Sequence, residues 1–139
     1  MAEWNDDETI LDDEGLLRRV PNWPNMVKFD QNKQEMRPTS VCFSGKDDGI
    51  ELSVTLEKPH CDNGGTYESA AKVNGFGLAR VTAGNARIIS DPAQKIVRNP
   101  TPDDPHHGLV VGRKNKTAKR KLAMVAELVI EPSLEEPDE

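Results

Sequence analysis

Residues 99–130, NPTPDDPHHGLVVGRKNKTAKRKLAMVAELVI, join a turn, an apolar run and a basic segment without a gap. Three prolines and two aspartates in residues 99–105 exclude a helix or a central strand there, so we predict a surface turn. Residues 108–111 form a short, β-branched, apolar run, which is typical of a strand covered on both faces. We expect this strand to begin near His106 and to end at Gly112.

A helix is predicted to follow the strand. From Lys116 onward, apolar residues recur with the spacing of one helical face, namely Ala118, Leu122, Val125, Ala126 and Val129. The cations Lys116, Lys119 and Arg120 fall on the opposite face. This amphipathic pattern predicts a C-terminal helix that packs on the domain by its apolar side chains.

Positive charge is concentrated at the start of that helix. A helix dipole is already positive at its N-terminus, so each cation there is unfavourable by roughly 0.3–1 kcal/mol. A phosphate or carboxylate would reverse the sign, because backbone N–H groups and cationic side chains would all point at it. We therefore predict an anion-binding site formed by Arg113, Lys114, Lys116, Lys119 and Arg120. A solvated helix face without a ligand is the alternative interpretation.

Acidic residues cluster at the two ends of the chain. Residues 1–15 contain seven of them and residues 127–139 contain six, and neither end carries a lysine or arginine. All eighteen lysines and arginines lie in the middle with eleven acidic residues, which leaves a formal charge of +7 there although the whole chain carries −6. We predict an acidic N-terminal tail (1–15), a single domain (16–131) and an acidic C-terminal tail (132–139). The ends are interpreted as solvating tails, and the alternative is that they fold back on the basic body.

The rest of the chain shows strand patterns and short helical segments. Residues 39–44 and 50–57 alternate apolar with polar side chains, which predicts an antiparallel hairpin closed by a loop at residues 45–49. Further predictions are a loop (58–65), a short helix capped by Thr66 (66–73), a strand (77–81), a helical turn capped by Thr82 and a strand (96–98), while residues 16–20 fit either helix or strand. The predicted fold is α+β, with a small antiparallel or mixed sheet, two to three short helices and a C-terminal helix packed on it.

Length and composition limit the class of protein. The 139 residues are 35% hydrophobic and 4% aromatic, which predicts one domain with a lean aliphatic core. No apolar run approaches the ~20 residues of a membrane span, so we expect a cytoplasmic protein that contacts no membrane. Two cysteines, Cys42 and Cys61, are too few for a disulfide framework and are expected to be free thiols. No cofactor is expected.

Three short motifs resemble those of a loosely defined set of small bacterial domains to which no activity is attached. They are LLRRVP at residues 16–21, RPTS at residues 37–40 and PHHGLVVGRK at residues 105–114. The resemblance spans residues 16–129 and implies one compact bacterial domain. It implies no catalytic residue.

One cluster contains residue types that bind divalent metals. Asp104 and His106 are the candidate ligands, in a run that also holds Asp103 and His107. Adjacent histidines on a strand point to opposite faces, so both cannot easily bind one ion. The aspartates are also explained by the turn, and we therefore predict no metal site.

The candidate catalytic residues are polar side chains at strand ends. His107, Arg37 and Ser40 would suit phosphoryl or nucleotidyl chemistry if they converged on an anion held near Arg113. The sequence does not show whether they meet.

Three functions are compatible with these features. The first is a binding or regulatory protein whose basic strand-turn-helix (106–121) contacts a nucleic acid, a nucleotide or an acidic protein surface. The second is a small enzyme acting on a phosphorylated or nucleotide substrate, which would bury one histidine in a concave site beside Arg37 or Arg113. The third is an inhibitor or immunity-type protein acting through its acidic ends, which is favoured if Trp4 packs on the body.

Overall fold

The computed structural model describes residues 4–44 and 50–133, and a six-stranded sheet lies at its centre. The strands are β1 (Gly15–Val20), β4 (Glu51–Leu56), β5 (Gly77–Thr82), β6 (Lys95–Arg98), β7 (His107–Val111) and β8 (Glu127–Ile130), with β2 (Val27–Asp30) and β3 (Glu35–Pro38) forming a separate hairpin. The helices are α1 (Glu57–Asp62), α2 (Tyr67–Ala71), α3 (Ala83–Arg87) and α4 (Lys116–Val125), and two 3₁₀ turns span Pro24–Met26 and Ser40–Phe43. The predicted α+β class is confirmed.

The sheet is antiparallel throughout, in the order β6-β7-β4-β1-β5-β8. β1 lies at its centre and pairs with β5 from Gly15 opposite Thr82 to Val20 opposite Gly77. The open question about residues 16–20 is therefore resolved as a strand. The predicted strand before Gly112 is confirmed as β7, which pairs with β6 on one side and β4 on the other.

Both faces of the sheet are covered. The first face carries the main core, which includes Leu16, Leu52, Val54, Leu56, Ile96 and Val110 from the sheet and Ala118, Leu122 and Ala123 from α4. On the second face, α2 packs near Leu17 and Leu78, while Trp4 packs against a separate cluster of β6 and β7 side chains. Because side chains alternate between faces along a strand, Thr55 and His107 face the second side, between these two covers.

The two predicted helix caps are confirmed. Thr66 accepts a hydrogen bond from the backbone N of Ser69 at 3.1 Å, and the Ser69 hydroxyl accepts the Thr66 N–H at 2.8 Å, which closes a capping box at the start of α2. Thr82 accepts the N–H of Asn85 at 3.3 Å and so begins α3. Each cap satisfies a backbone donor that the first helical turn leaves without a partner.

The predicted loop over residues 58–65 is wrong for its first part. α1 begins at Glu57, directly after the end of β4, so residues 58–62 are helical. Pro59 is compatible with this helix because it lies in the first turn of α1, where a missing N–H costs no intrahelical hydrogen bond. Sequence alternation across β4 gave no sign of this helix.

The predicted strand over residues 39–44 is also wrong. Residues 40–43 form a 3₁₀ turn, closed by hydrogen bonds from Cys42 N to Thr39 O at 3.1 Å and from Ser44 N to Val41 O at 3.2 Å. Cys42 and Phe43 are both buried, and two adjacent buried side chains contradict the alternation of a half-buried strand. Residues 45–49, the predicted hairpin loop, lie outside the described residues.

The C-terminal helix is shorter than its apolar pattern predicts. α4 ends at Val125, and Ala126 adopts an extended conformation. Val129, which was assigned to the helical face, lies in β8 instead. β8 pairs with β5 and so completes one edge of the sheet, which satisfies backbone groups that a longer helix would have left open on β5.

The acidic N-terminal segment, residues 4–14, contacts the body of the protein. Asp6 and Asp12 pair with Arg87 at 3.1 and 2.7 Å, and Asp7 pairs with Arg98 at 3.2 Å. These three carboxylates are therefore not the purely solvating groups expected of a tail, because arginines of α3 and β6 hold them. The division of the chain into tails and domain stays a prediction, and residues 134–139 lie outside the described part.

None of the helices within residues 4–44 and 50–133 has the length and hydropathy that a membrane crossing requires. The longest of them, α4, has ten residues.

Candidate functional site

A groove runs between the β2–β3 hairpin and the exposed side of α4. It consists of two adjoining cavities of about 470 and 320 Å³, both lined by Lys28, Arg37 and Met124. Further lining residues are Phe29, Asp30, Gln31, Asn32 and Lys33 in the first cavity, and Thr39, Ser40, Arg120 and Ala123 in the second. We call this the hairpin–α4 groove.

Cations dominate the hairpin–α4 groove. Lys28 and Arg37 stand directly opposite each other in the hairpin, an arrangement that is destabilising for like charges. Asp30 lies 3.5 Å from the Arg37 guanidinium and is the one carboxylate among the lining residues of the two cavities, against four cations. The groove therefore has an excess of positive charge, although the whole chain is acidic.

Two exposed apolar side chains are among the lining residues. Phe29 is 48% exposed and Met124 is 67% exposed. Phe29 adjoins Lys28 in β2, and side chains alternate between faces along a strand, so the Phe29 ring points to the other face of the hairpin from Lys28 and Arg37. Met124 of α4 is the exposed apolar residue that lines both cavities with these two cations. Apolar surface beside cations suits nucleobases whose phosphates are neutralised.

The groove includes one of the five predicted anion-binding residues, Arg120. Arg113 and Lys116 are exposed and Lys119 is partly exposed, but none of the three lines the groove. The start of α4 is also closed by its own residue, because Asn115 accepts the N–H of Ala118 at 2.8 Å. Arg120, the one member of this set that lines the groove, thus lies one helical turn beyond the N-terminus of α4.

Lys114, the remaining predicted residue, is turned inward. Its side chain is buried, and Nζ donates hydrogen bonds to the carbonyl oxygens of Ile50, Val110 and Gly112 at 2.8–2.9 Å. A buried ammonium group with carbonyl partners is a structural element. Lys114 therefore ties the β7–α4 turn to the beginning of β4 and does not face a solvent-borne anion.

The three candidate catalytic residues are not brought together. Arg37 and Ser40 both line the second cavity of the hairpin–α4 groove, beside Arg120. His107 lies on the opposite face of the sheet, in a cavity of about 90 Å³ that we call the β4–β7 cavity. Its other lining residues include Arg19, Ser53, Thr55, Lys72 and Asp104. A histidine thus does line a concave site, but beside Arg19 and Lys72 instead of Arg37 or Arg113.

Asp104, the candidate metal ligand, is the centre of a hydrogen-bond network in that cavity. It accepts bonds from the Thr55 hydroxyl at 2.7 Å, from Lys72 Nζ at 3.1 Å and from the backbone N of His106 at 3.0 Å. Burial alone would raise the pKa of the Asp104 carboxyl, but the bonds from Thr55, Lys72 and His106 outweigh it and lower the pKa below its ordinary value. Within the described residues, no group of three or more metal-type ligands is found.

Sequence reasoning missed the hairpin and therefore missed Lys28 and Phe29. Residues 26–37 are polar and have no clear period, but Asp30 begins a turn whose backbone N–H groups at positions 32 and 33 it accepts at 2.9 and 3.2 Å. An aspartate with an asparagine two residues later is a turn signal that could have found the hairpin. No local signal could have placed Lys72 beside Asp104, because 32 residues separate them.

Two kinds of chemistry suit these sites. The open groove can bind several anionic groups at once, and the small cavity can bind one compact polar group. No protein-family model, no curated protein and no solved structure matches this chain.

Proposed function

We propose that this protein is a binding protein whose hairpin–α4 groove holds a nucleic acid strand. The observation that carries the proposal is the convergence of Lys28, Arg37 and Arg120 from separate elements on one groove with a single carboxylate. Like charges placed together reduce stability unless an anion compensates them. A phosphate backbone supplies that compensation along the whole length of the groove.

The shape and the apolar residues favour a strand over the other anionic partners. A free nucleotide is normally enclosed in one concave pocket, whereas the two cavities of the groove lie side by side and share a wall. An acidic protein surface would satisfy the cations but would leave the exposed Met124 side chain without a specific role. Single-stranded nucleic acid satisfies both, since its phosphates pair with cations and its bases stack on aromatic and apolar side chains.

The test is binding of a fluorescently labelled single strand, measured by anisotropy at two salt concentrations. The variant Arg37→Gln/Arg120→Gln removes two groove cations, and Lys58→Gln/Lys121→Gln removes two exposed cations that do not line the groove. We expect the groove variant to bind at least about tenfold more weakly and its salt slope to fall by about 1.4, since each single-strand phosphate contact contributes about 0.7.

The control variant defines what would contradict the proposal. Both variants change the net charge by the same amount, so an equal loss of affinity in both would mean diffuse attraction and no groove. A parent protein that fails to bind single strands at low salt would also refute the nucleic acid partner.

The enzyme alternative is supported by one observation. His107 lines the β4–β7 cavity together with Lys72 and Asp104, which is the concave site that a small enzyme would need. Turnover of a phosphorylated or nucleotide substrate that is lost in His107→Gln but kept in Arg37→Gln would favour this alternative.

The inhibitor alternative receives support from Trp4 but not from the acidic residues near it. Trp4 packs against Val97, Leu109 and Val111 of the sheet, as that alternative requires. The carboxylates of Asp6 and Asp7, however, are paired with arginines of the same chain. They are engaged internally, whereas an inhibitor of this kind would present them to its target.

A further inference from the structure

We propose that the β4–β7 cavity is a binding site for inorganic phosphate, separate from the hairpin–α4 groove. The cavity lies on the second face of the sheet, between the cover provided by α2 and the cover provided by Trp4. Its polar lining comes from β1, β4, β7, the end of α2 and the turn at residues 99–105. The proposal goes beyond strand binding and does not depend on it.

Donors in the cavity exceed the acceptors available to them. Among the residues that the structure describes, neither the Arg19 guanidinium nor the Ser53 hydroxyl has a hydrogen-bond or ion-pair partner. Lys72 Nζ donates one hydrogen bond, to Asp104, and an ammonium group has three donors. Three cations and one carboxylate line the cavity. Arg18 is engaged by the carbonyl oxygens of Cys42 and Ser53, so Arg19 and Lys72 are the cations for which an oxyanion would supply negative charge and acceptors.

Asp104 orients the site. Its carboxylate receives three hydrogen bonds, so its own charge is largely compensated within the protein. The bond at 3.1 Å holds Lys72 Nζ at the cavity, and the Lys72 backbone has a φ of 65° at the end of α2. A lysine in this left-handed region is uncommon, and such conformations persist where surrounding contacts and function hold them.

His107 gives the site its selectivity. Its Nδ1 lies 2.8 Å from the carbonyl oxygen of Asn99, which can only accept, so Nδ1 carries the proton. In neutral His107, Nε2 therefore keeps a lone pair that can accept a hydrogen bond from a ligand. Hydrogen phosphate carries a proton that it can donate to this nitrogen, whereas sulfate carries none at neutral pH. The site should thus prefer phosphate to sulfate, although the two ions are similar in size.

The volume favours a compact ion. The cavity has a volume of about 90 Å³, several times the roughly 10–15 Å³ that one water molecule occupies on the same measure. A single tetrahedral oxyanion fits such a space, but the cavity cannot enclose the base and sugar of a nucleotide as well. A phosphate monoester also loses its last proton near neutral pH, so it is a weaker match for His107 than inorganic phosphate.

The experiment is a thermal melt of the full chain during titration with phosphate or sulfate at constant ionic strength. We expect phosphate to raise the melting temperature of the parent with saturation, and sulfate to give only the non-saturating rise of an excluded salt. Arg19→Gln, at an exposed position, should keep its fold and weaken the apparent phosphate affinity at least about tenfold. Lys72→Gln should do the same.

A control variant completes the test. The groove variant Arg37→Gln/Arg120→Gln should keep the full response to phosphate, so loss of strand binding and loss of phosphate binding can be told apart. Equal responses to phosphate and sulfate in the parent, or an unchanged phosphate response in Arg19→Gln, would overturn the proposal.

Discussion

Replacement of Lys114 by Met tests whether this lysine is structural. Lys114 is 5% exposed and donates three hydrogen bonds to backbone carbonyls, at 2.9 Å to Ile50, 2.8 Å to Val110 and 2.9 Å to Gly112. Methionine preserves most of the aliphatic stem and removes the hydrogen bonds to these three carbonyls together with every other interaction of the ammonium group. The variant therefore isolates the contribution of the ammonium group.

The expected change in the free energy of unfolding is the difference between the hydrogen bonds that are lost and the desolvation cost that disappears. Hydrogen bonds from a charged group contribute about 1.5–3 kcal/mol each, so three would contribute about 5–9 kcal/mol if nothing offset them. The desolvation cost of the buried ammonium, several kcal/mol, disappears in the variant. The Ile50 carbonyl also keeps a second donor, the N–H of Gly112 at 3.0 Å. We expect a net loss of about 2–4 kcal/mol, or a melting temperature lower by about 10 °C.

Urea unfolding of Lys114→Met and Lys119→Met provides the measurement. Lys119 is partly exposed on α4, so its replacement removes the same charge and should change the free energy of unfolding by less than about 0.5 kcal/mol. If the two variants unfolded at the same urea concentration, the inward orientation of Lys114 would be wrong. Lys114 would then return to the set of surface cations that an anion can use.

Two other predictions concern stability. The pKa of Asp104 is lowered in the folded protein, so its stabilising contribution is present above its unfolded pKa and is lost as pH falls through the folded value. The difference in free energy of unfolding between the parent and Asp104→Asn should thus be largest near neutral pH and shrink below about pH 4; a constant difference down to acidic pH would contradict the charged network. Arg87→Met should release the N-terminal segment, because Arg87 donates hydrogen bonds to Asp6, Asp7, Ile10 and Asp12. Limited proteolysis should then cut within residues 4–14 faster than in the parent, and an unchanged cleavage rate would show that Trp4 and Ile10 hold the segment without Arg87.

The elements whose signals are local could be predicted from the sequence alone. The proline turn, the apolar strand β7 and the start of α4 follow from residue types within a few positions of each other, and the Thr66 and Thr82 caps follow from side-chain hydrogen bonds to the next turn. The α+β class follows from the mixture of these periods. Such features depend on residues that are close together in the sequence, so they can be predicted without knowledge of the tertiary structure.

The conformation of segments with an ambiguous pattern, and the contacts between residues far apart in the chain, depend on the tertiary structure. The apolar period of α4 continues through Val129, and only pairing with the edge of β5 turns residues 127–130 into a strand. Lys114 looks like its basic neighbours, and only the carbonyls of β4 and β7 around it make it a buried group.

The set of residues that lines each candidate site also depends on the tertiary structure. Arg37 and Arg120 meet because the hairpin packs beside α4, and Lys72 and His107 meet because α2 and the proline turn reach the same end of the second sheet face. Charge identifies the residue types that take part. Which of them share a site is set by packing between residues far apart in the chain, and composition and spacing carry no information about that packing.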